Sequence, residues 1–446
     1  MKQPDLPRKR PWPDYRAVWR WHFYAGLLSI PILLVLSISG TIYLFKPQIE
    51  MWEEAQYDVF ESGEQPLAMS QQIEATLAAM PGARFHSFEL PTSSVAASRI
   101  IVTQNGERIR CYVHQATGRI HAQKVEADRF IAVVRRLHGE LFLGNRGSYL
   151  VELTACWTLV LIFTGLYLWW PRKWTGLGGV LLPRLRSGKK IFWRDIHSVS
   201  GIWISGFAIV LILSGLPWST FWGNYFRNVR HWTGTAVARQ DWEISRPRKE
   251  TETKRTKPLD LAAADRVVKA TVPLNLPAPV VITPPRGSAN EWKVQSMTQN
   301  RPYRADLTVD GESGEITSRK DFGDRHPIDQ VVGVGIALHE GQLFGWPNQL
   351  LGVVTTSGLI LLSFSGIILW WRRRDRGVLG APAVGAAPRM SLGLVAIVLG
   401  LAVYLPLFGA SLLAVWLAER FVLRRSPGIR GWLGLRAPTS PEVAAV

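Results

Sequence analysis

"ALHEGQLFG", residues 337–345, sets a histidine beside an acid and ahead of two glycines, and an apolar run follows that ends in "WWRRR", residues 370–374. The figure also occurs 201 residues earlier: "RLHGELFLG", residues 136–144, leads into an apolar run that ends in "WWPRK", residues 169–173. Both runs are near 20 residues, the length a helix needs to cross ~30 Å of hydrocarbon. Two more blocks of this kind are present, so spans are expected at 23–45, 149–170, 198–217 and 349–371. A fifth apolar block, 391–418, contains Pro406 and reads either as one long kinked span or as a re-entrant pair.

The formal net charge of +18 is concentrated. Segments 1–21, 171–196 and 372–390 together carry 18 basic and 4 acidic residues, a net +14. All three are short and flank spans, as cytoplasmic segments do under the positive-inside rule. Segment 47–137 instead holds 11 acidic and 9 basic residues. The charge therefore reads as membrane topology, and no nucleic-acid partner is expected. Segments 46–148 and 218–348 fall outside, and the chain reads as a multi-pass membrane protein. The first block is too long for a cleaved signal and is expected to remain as an anchor. Cys111 and Cys156 fall in an outer segment and a span and are not expected to pair. No C-x-x-C-H occurs, which excludes covalent c-type haem.

An internal duplication is plain. His22 precedes Gly26 by 4 and Gly40 by 18, and His197 precedes Gly201 and Gly215 by the same offsets. His138 precedes Gly144 by 6 and Gly165 by 27, and His339 stands likewise to Gly345 and Gly366. The Trp pairs 169–170 and 370–371 lie 31 and 32 residues after those histidines. So many shared offsets identify two tandem units, each span, outer segment, span. The histidine spacing is 116 in the first unit and 142 in the second, so the second outer segment is longer by 26. Each outer segment holds a helical stretch ("SQQIEATLAAM", "LDLAAADRVVKAT") and then strands turning at Gly118 or Gly314. "NLPAPVVITPPRGSAN", 275–290, reads as a loop-rich insertion.

Ionisable residues at membrane depth are expensive and usually functional. A single histidine at a span end reads as an interfacial polar residue; four at repeated offsets read as ligands. Topology pairs them, His22 with His197 on the cytoplasmic side and His138 with His339 on the outer side. Zinc wants four ligands, or three and a water, and each layer supplies two. A haem brings four nitrogens and needs only two axial imidazoles. Two b-type haems per chain follow, with those four histidines as axial ligands to iron. Gly26, Gly201 and Gly40 either make room for a porphyrin or serve close helix packing. His86, His114, His121, His231 and His326 break the repeat and read as surface residues. Glu140 and Glu340 read as water-facing neighbours of the outer pair, with an orienting role for the imidazole as the alternative. No G-x-G-x-x-G opens a βαβ unit, so the chain carries no evident nucleotide site, and the electron donor is expected to be quinol or a protein.

In these features the chain resembles the PepSY-associated membrane-helix proteins of bacteria, which include inner-membrane di-haem ferric-siderophore reductases. The resemblance rests on His22-x3-Gly, "SISG" and "LILSG", "LHGELFLG" and "LHEGQLFG", and the two Trp-Trp-basic stops, and runs to about residue 375. It implies a mainly α membrane protein: a four-helix haem-binding bundle from two repeats, a fifth apolar segment, and two small α+β PepSY-like periplasmic modules. The divisions are 1–45, 46–148, 149–217, 218–348, 349–371 and 372–446. The function implied is an oxidoreductase that carries electrons through two haems to a ferric siderophore, releasing Fe(II). The rival readings are a membrane-anchored regulator of periplasmic peptidases without redox activity, and a haem subunit of another periplasmic reductase.

Overall fold

A computed structural model describes residues 15–58, 64–171, 176–236, 259–285, 290–382 and 392–435. Parts of the basic segments read from the sequence (1–14, 172–175, 383–391 and 436–446) lie outside the described residues, as does 286–289 of the loop-rich stretch. The chain is mainly helical and divides into two compact units.

The first unit comprises 1–41, 137–229 and 353–446. Its long apolar helices belong to α1 (Tyr15–Leu44), α5 (Asn145–Trp169), α6 (Lys189–Gly215) and α10 (Trp346–Trp371). Each begins several residues before the apolar block read from the sequence, because the helix continues through polar first turns beyond the hydrophobic stretch. Small residues let the backbones approach, as is usual between helices in lipid. An ideal Cβ on Gly26 of α1 would lie 3.6 Å from Leu161 of α5, and one on Gly201 of α6 would lie 3.7 Å from Leu362 of α10. Both are ordinary van der Waals distances, so these glycines lie at helix–helix contacts. Thr41 Oγ1 donates to Thr356 Oγ1 at 2.7 Å and ties α1 to α10.

The fifth apolar block is not one helix. α11 (Leu392–Tyr404) stops before Pro406, and α12 (Pro406–Ala418) starts there. An ideal Cβ on Gly409 would lie 2.9 Å from Ala402 Cβ, so the two helices fold back on each other. Thirteen residues rise only ~20 Å. The hairpin is pinned through α7 (Thr220–Trp232): Trp222 Nε1 donates to Tyr404 O at 2.9 Å, while Glu152 of α5 accepts from the backbone N–H groups of Phe221 and Trp222. Beyond it, α13 (Pro427–Leu433) returns to the start of α1. Tyr24 donates to Leu433 O, Arg20 donates to Gly434 O and Pro382 O, and Leu379 N–H donates to Trp432 O. The chain therefore leaves the hairpin at the end where it entered, as the re-entrant reading expects, while its second arm with the turn that continues it, Pro406–Leu423, is long and apolar enough to cross.

The second unit comprises 42–136 and 230–352. It contains α2 (Lys46–Glu54), α3 (Met69–Ala79), α8 (Ala262–Thr271) and most of α4 (Phe130–Glu140), with α9 (Pro327–His339). Its strands are β1 (Arg84–Glu89), β2 (Ser98–Gln104), β3 (Glu107–Val113) and β4 (Ile120–Val125), then β5 (Val280–Thr283), β6 (Glu291–Ser296), β7 (Ala305–Asp310) and β8 (Ile316–Asp321). The sequence suggests two separate modules. In the structure all eight strands form one antiparallel sheet, in the order β4-β3-β2-β1-β5-β6-β7-β8. The halves join where Phe88 faces Ile282 and Glu89 faces Val281. β5 lies within the stretch read as a loop: "VVIT" is β-branched and apolar, which favours a strand despite the flanking prolines. α3 and α8 share the sheet's core, Ile73 and Val267 being fully buried, and Ser70 donates to Asp265. The hairpin turns fall at Gly118 (φ +69°) and Gly314 (φ +74°), where a side chain would be strained.

Candidate functional site

His22 sits in the second turn of α1, and His197 in the third turn of α6. Their ring centroids lie 6.2 Å apart, with planes crossed at 87°. His22 Nδ1 bonds Thr164 Oγ1 of α5 at 3.0 Å, and His197 Nδ1 bonds Ser365 Oγ of α10 at 3.0 Å. All four long helices therefore meet at this pair. The two halves are built alike. Thr164 and Ser365 each precede a glycine, and an ideal Cβ on that glycine would lie 3.2 Å (Gly165) or 3.5 Å (Gly366) from Cε1 of the histidine. The imidazole edge fits where a side chain is missing.

The 6.2 Å spacing has a chemical meaning. Two imidazoles on opposite sides of one metal are separated by two metal–nitrogen bonds of ~2 Å and a ring radius on each side, roughly 6 Å in total. With Nδ1 engaged, Nε2 is the nitrogen left to coordinate. Among the described residues no group of three or more His, Cys, Asp or Glu is gathered. Two imidazoles do not complete a zinc site, but they satisfy the axial need of a haem.

The outer histidines stand just ahead of their spans, as the sequence reading places them. His138 is in α4 and His339 ends α9, short helices that turn into α5 and α10. The glycines six residues on, Gly144 and Gly345, take positive φ (57° and 66°) at these turns. In the first unit, His138 Nδ1 bonds Ser39 Oγ of α1 at 3.0 Å, and an ideal Cβ on Gly40 would lie 3.1 Å from its Cε1. Gly40 thus makes room for an imidazole. In the second unit, the segment after His339 is locked. Asn348 donates to Leu338 O at 3.0 Å, and Gln342 and Gln349 both donate to Leu44 O. Glu340 is 6 % exposed, so it does not face water; its charge acts on Lys46 and Tyr43, at the end of α1. Glu140 is half-buried.

The hydroxyls were not read from the sequence as site residues. The signal was present: a Ser or Thr precedes a glycine near the end of every long helix, at 39–40, 164–165, 214–215 and 365–366. Of the remaining histidines, His121 and His231 are exposed, His114 and His326 accept backbone N–H groups in local turns, and His86 is half-buried in β1. Both cysteines are free and buried.

Near the His22–His197 pair, the chain closes over itself. Trp169 Nε1 donates to Val180 O at 2.9 Å and Trp370 Nε1 to Leu379 O at 2.8 Å, so the first indole of each Trp pair holds the loop that follows its span. Asp195, two residues before His197, is fully buried and accepts from Arg184 and Arg194. Arg20, two before His22, holds Pro382 in the matching loop.

The family model described as the PepSY-associated TM region matches residues 19–373. The chain belongs to this family. The matched stretch contains all four repeated histidines and both Trp pairs. No curated protein matches the chain at a significant level. Membership in the PepSY-associated TM family, with five helices among the described residues long and apolar enough to cross a bilayer, makes this a multi-pass membrane protein in contact with lipid.

Proposed function

We propose that the chain is a haem-dependent oxidoreductase that delivers electrons across the bacterial inner membrane to a chelated ferric ion, such as a ferric siderophore, on the periplasmic side. The observation that supports it is the His22–His197 pair, 6.2 Å between centroids, with each Nδ1 engaged by a hydroxyl. A b-type haem held there, and a second held by His138 and His339 as the repeat implies, supplies reversible one-electron chemistry. Nε2 of each histidine would bind the iron. Thr164, Ser365 and Ser39 orient the rings, and Gly165, Gly366 and Gly40 admit them. Leu161 and Leu362, packed on Gly26 and Gly201, keep the helices apolar beside the inner pair. A haem held by two histidines would have no open site on its iron, so it would pass one electron per iron to a ferric chelate that it does not bind. Reduction to Fe(II) weakens the hold of hard oxygen ligands. The donor is quinol or an electron-carrying protein on the cytoplasmic side.

The purified full-length protein should show dithionite-reduced b-type bands and two haems per chain by pyridine haemochrome. His22→Ala and His197→Ala should each remove the same haem, and His138→Ala and His339→Ala the other. Reduced protein should reoxidise with a ferric hydroxamate while an Fe(II) trap fills. A colourless, haem-free preparation would sink the proposal in favour of a membrane-anchored regulator.

A further inference from the structure

The hydroxyls facing the imidazoles are already committed elsewhere. Thr164 Oγ1 donates to Val160 O at 2.6 Å, Ser365 Oγ to Leu361 O at 2.7 Å, and Ser39 Oγ to Val35 O at 2.6 Å. Each is the bond from a helical hydroxyl to the carbonyl one turn back. A hydroxyl has one hydrogen and two lone pairs. With that hydrogen used, the oxygen meets the imidazole at 3.0 Å only as an acceptor. The imidazole is then the donor, through Nδ1–H, and Nε2 carries the lone pair. Ser214 makes the same backward bond, to Val210 O at 2.6 Å, and stands 175 residues after Ser39, the offset between His22 and His197.

We infer that Thr164, Ser365 and Ser39 are positioning residues that fix the Nδ1–H tautomer and the ring plane of His22, His197 and His138, so that Nε2 is the coordinating atom and the imidazole remains a weak donor to iron. The inference rests on the haem reading above. The second half of it follows from the kind of acceptor. A carboxylate bonded to Nδ1–H raises the basicity of a ligating histidine; a neutral hydroxyl polarises it far less. A weaker donor stabilises ferric iron less, so this arrangement holds the reduction potential above that of a carboxylate-partnered pair. Ring orientation is set from two separate helices. Thr164 of α5 holds one plane and Ser365 of α10 the other, and the planes cross at 87°. Perpendicular axial imidazoles leave the two metal orbitals that face them nearly equal in energy, which gives a strongly anisotropic low-spin ferric resonance.

The test uses full-length, haem-loaded protein with Thr164→Val, which keeps the shape and removes the hydroxyl acceptor while leaving the Leu161 carbonyl that His22 also meets, and Thr164→Ser, which restores the hydroxyl. Haem per chain, redox titration and the ferric resonance are read together. Thr164→Ser should match the parent in all three. Thr164→Val should bind haem about 10–100-fold less tightly, the range for a lost outer partner of a metal-ligating histidine. When loaded, its inner haem should shift upward by about tenfold in the reduction equilibrium, ~59 mV for a one-electron couple, and its resonance should lose the anisotropy. Should Thr164→Val empty the site, Ser365→Ala removes the acceptor on the other ligand of the same iron and is judged by the same readings. Haem-loaded variants with the parent's potential and resonance would overturn the inference. A parent without haem would instead overturn the functional reading on which it rests.

Discussion

A methyl group at Gly165 should loosen the inner haem, and a methyl at the matching position, Gly366, should not. An ideal Cβ at Gly165 falls 3.2 Å from Cε1 of His22, against 3.5 Å between Gly366 and His197. Carbon atoms settle at about 3.5–4.0 Å, so Gly165→Ala drives the His22 ring back by ~0.3 Å while Gly366→Ala is accommodated. The ring has little freedom to retreat, because Thr164 on the same helix as Gly165 holds its Nδ1 at 3.0 Å. A displacement of ~0.3 Å exceeds the ~0.2 Å within which metal–ligand distances are normally held. Overpacking of this kind costs ~1–3 kcal/mol, and the helix gains up to ~1 kcal/mol when glycine becomes alanine. The helix gain is the same with and without haem, so the overpacking alone, ~1–3 kcal/mol, bears on haem affinity, about tenfold or more. Gly366→Ala keeps only the gain and should stay within about twofold of the parent. Release of haem to excess apomyoglobin, followed by absorbance, measures both variants. Equal release from the two would refute the reasoning, since the difference rests on these contact distances alone.

Arg230 (1 % exposed) and Asp329 form a buried ion pair, Nη1 to Oδ1 at 2.5 Å, so Asp329→Ala should destabilise the sheet-bearing unit by ~3–5 kcal/mol; an unchanged thermal transition would show that the pair is not desolvated. Burial alone would raise the Glu89 carboxyl, but Arg110, bonded to both of its oxygens, outweighs that and holds it below its ordinary 4.5. A carboxyl depressed in the folded state stabilises fully above about pH 4.5 and loses that contribution as pH falls towards the folded value. Thermal melts from pH 7 down to about pH 3 should therefore steepen in the parent and flatten in Glu89→Gln; equal slopes in that window would remove Glu89 from the acid response. For the hairpin, Arg430→Cys should react with an impermeant thiol reagent only from the side that also labels Arg376→Cys, the two native cysteines being buried. Labelling of these positions from opposite sides would mean that the block crosses once.

The histidine offsets were legible because each repeat conserves helix length, and length is a local property. The glycines were legible only in part. Gly40 does make room for an imidazole, whereas Gly26 and Gly201 meet leucines. Periodicity places residues on a face, but the identity of the neighbour depends on which helices pair. The same limit applies to Glu340: beside His339 it reads as a surface acid, yet chain from the end of α1 covers it. Thr164 and Ser365 escaped notice because hydroxyls in spans are common packing residues, and their place opposite an imidazole emerges only when α1 meets α5 and α6 meets α10. β5 was missed for a related reason. Four apolar residues among prolines form a strand only when an edge far away in sequence is waiting for them.

That waiting edge bears on how the protein is made. β1 finishes at Glu89, but its partner on that side begins at Val280, about 190 residues later. At ~5–20 residues per second of synthesis, β1 stands with one side unpaired for roughly 10–40 s, while two long apolar helices are threaded into the bilayer. Its residues on that edge include the buried Phe88, the kind of strand that recruits any passing chain. By contrast, the outermost strand of the finished sheet, β8, is charged and largely exposed, as a permanent edge should be. The first half of this protein is therefore a nascent chain in need of shelter, and its second half supplies that shelter.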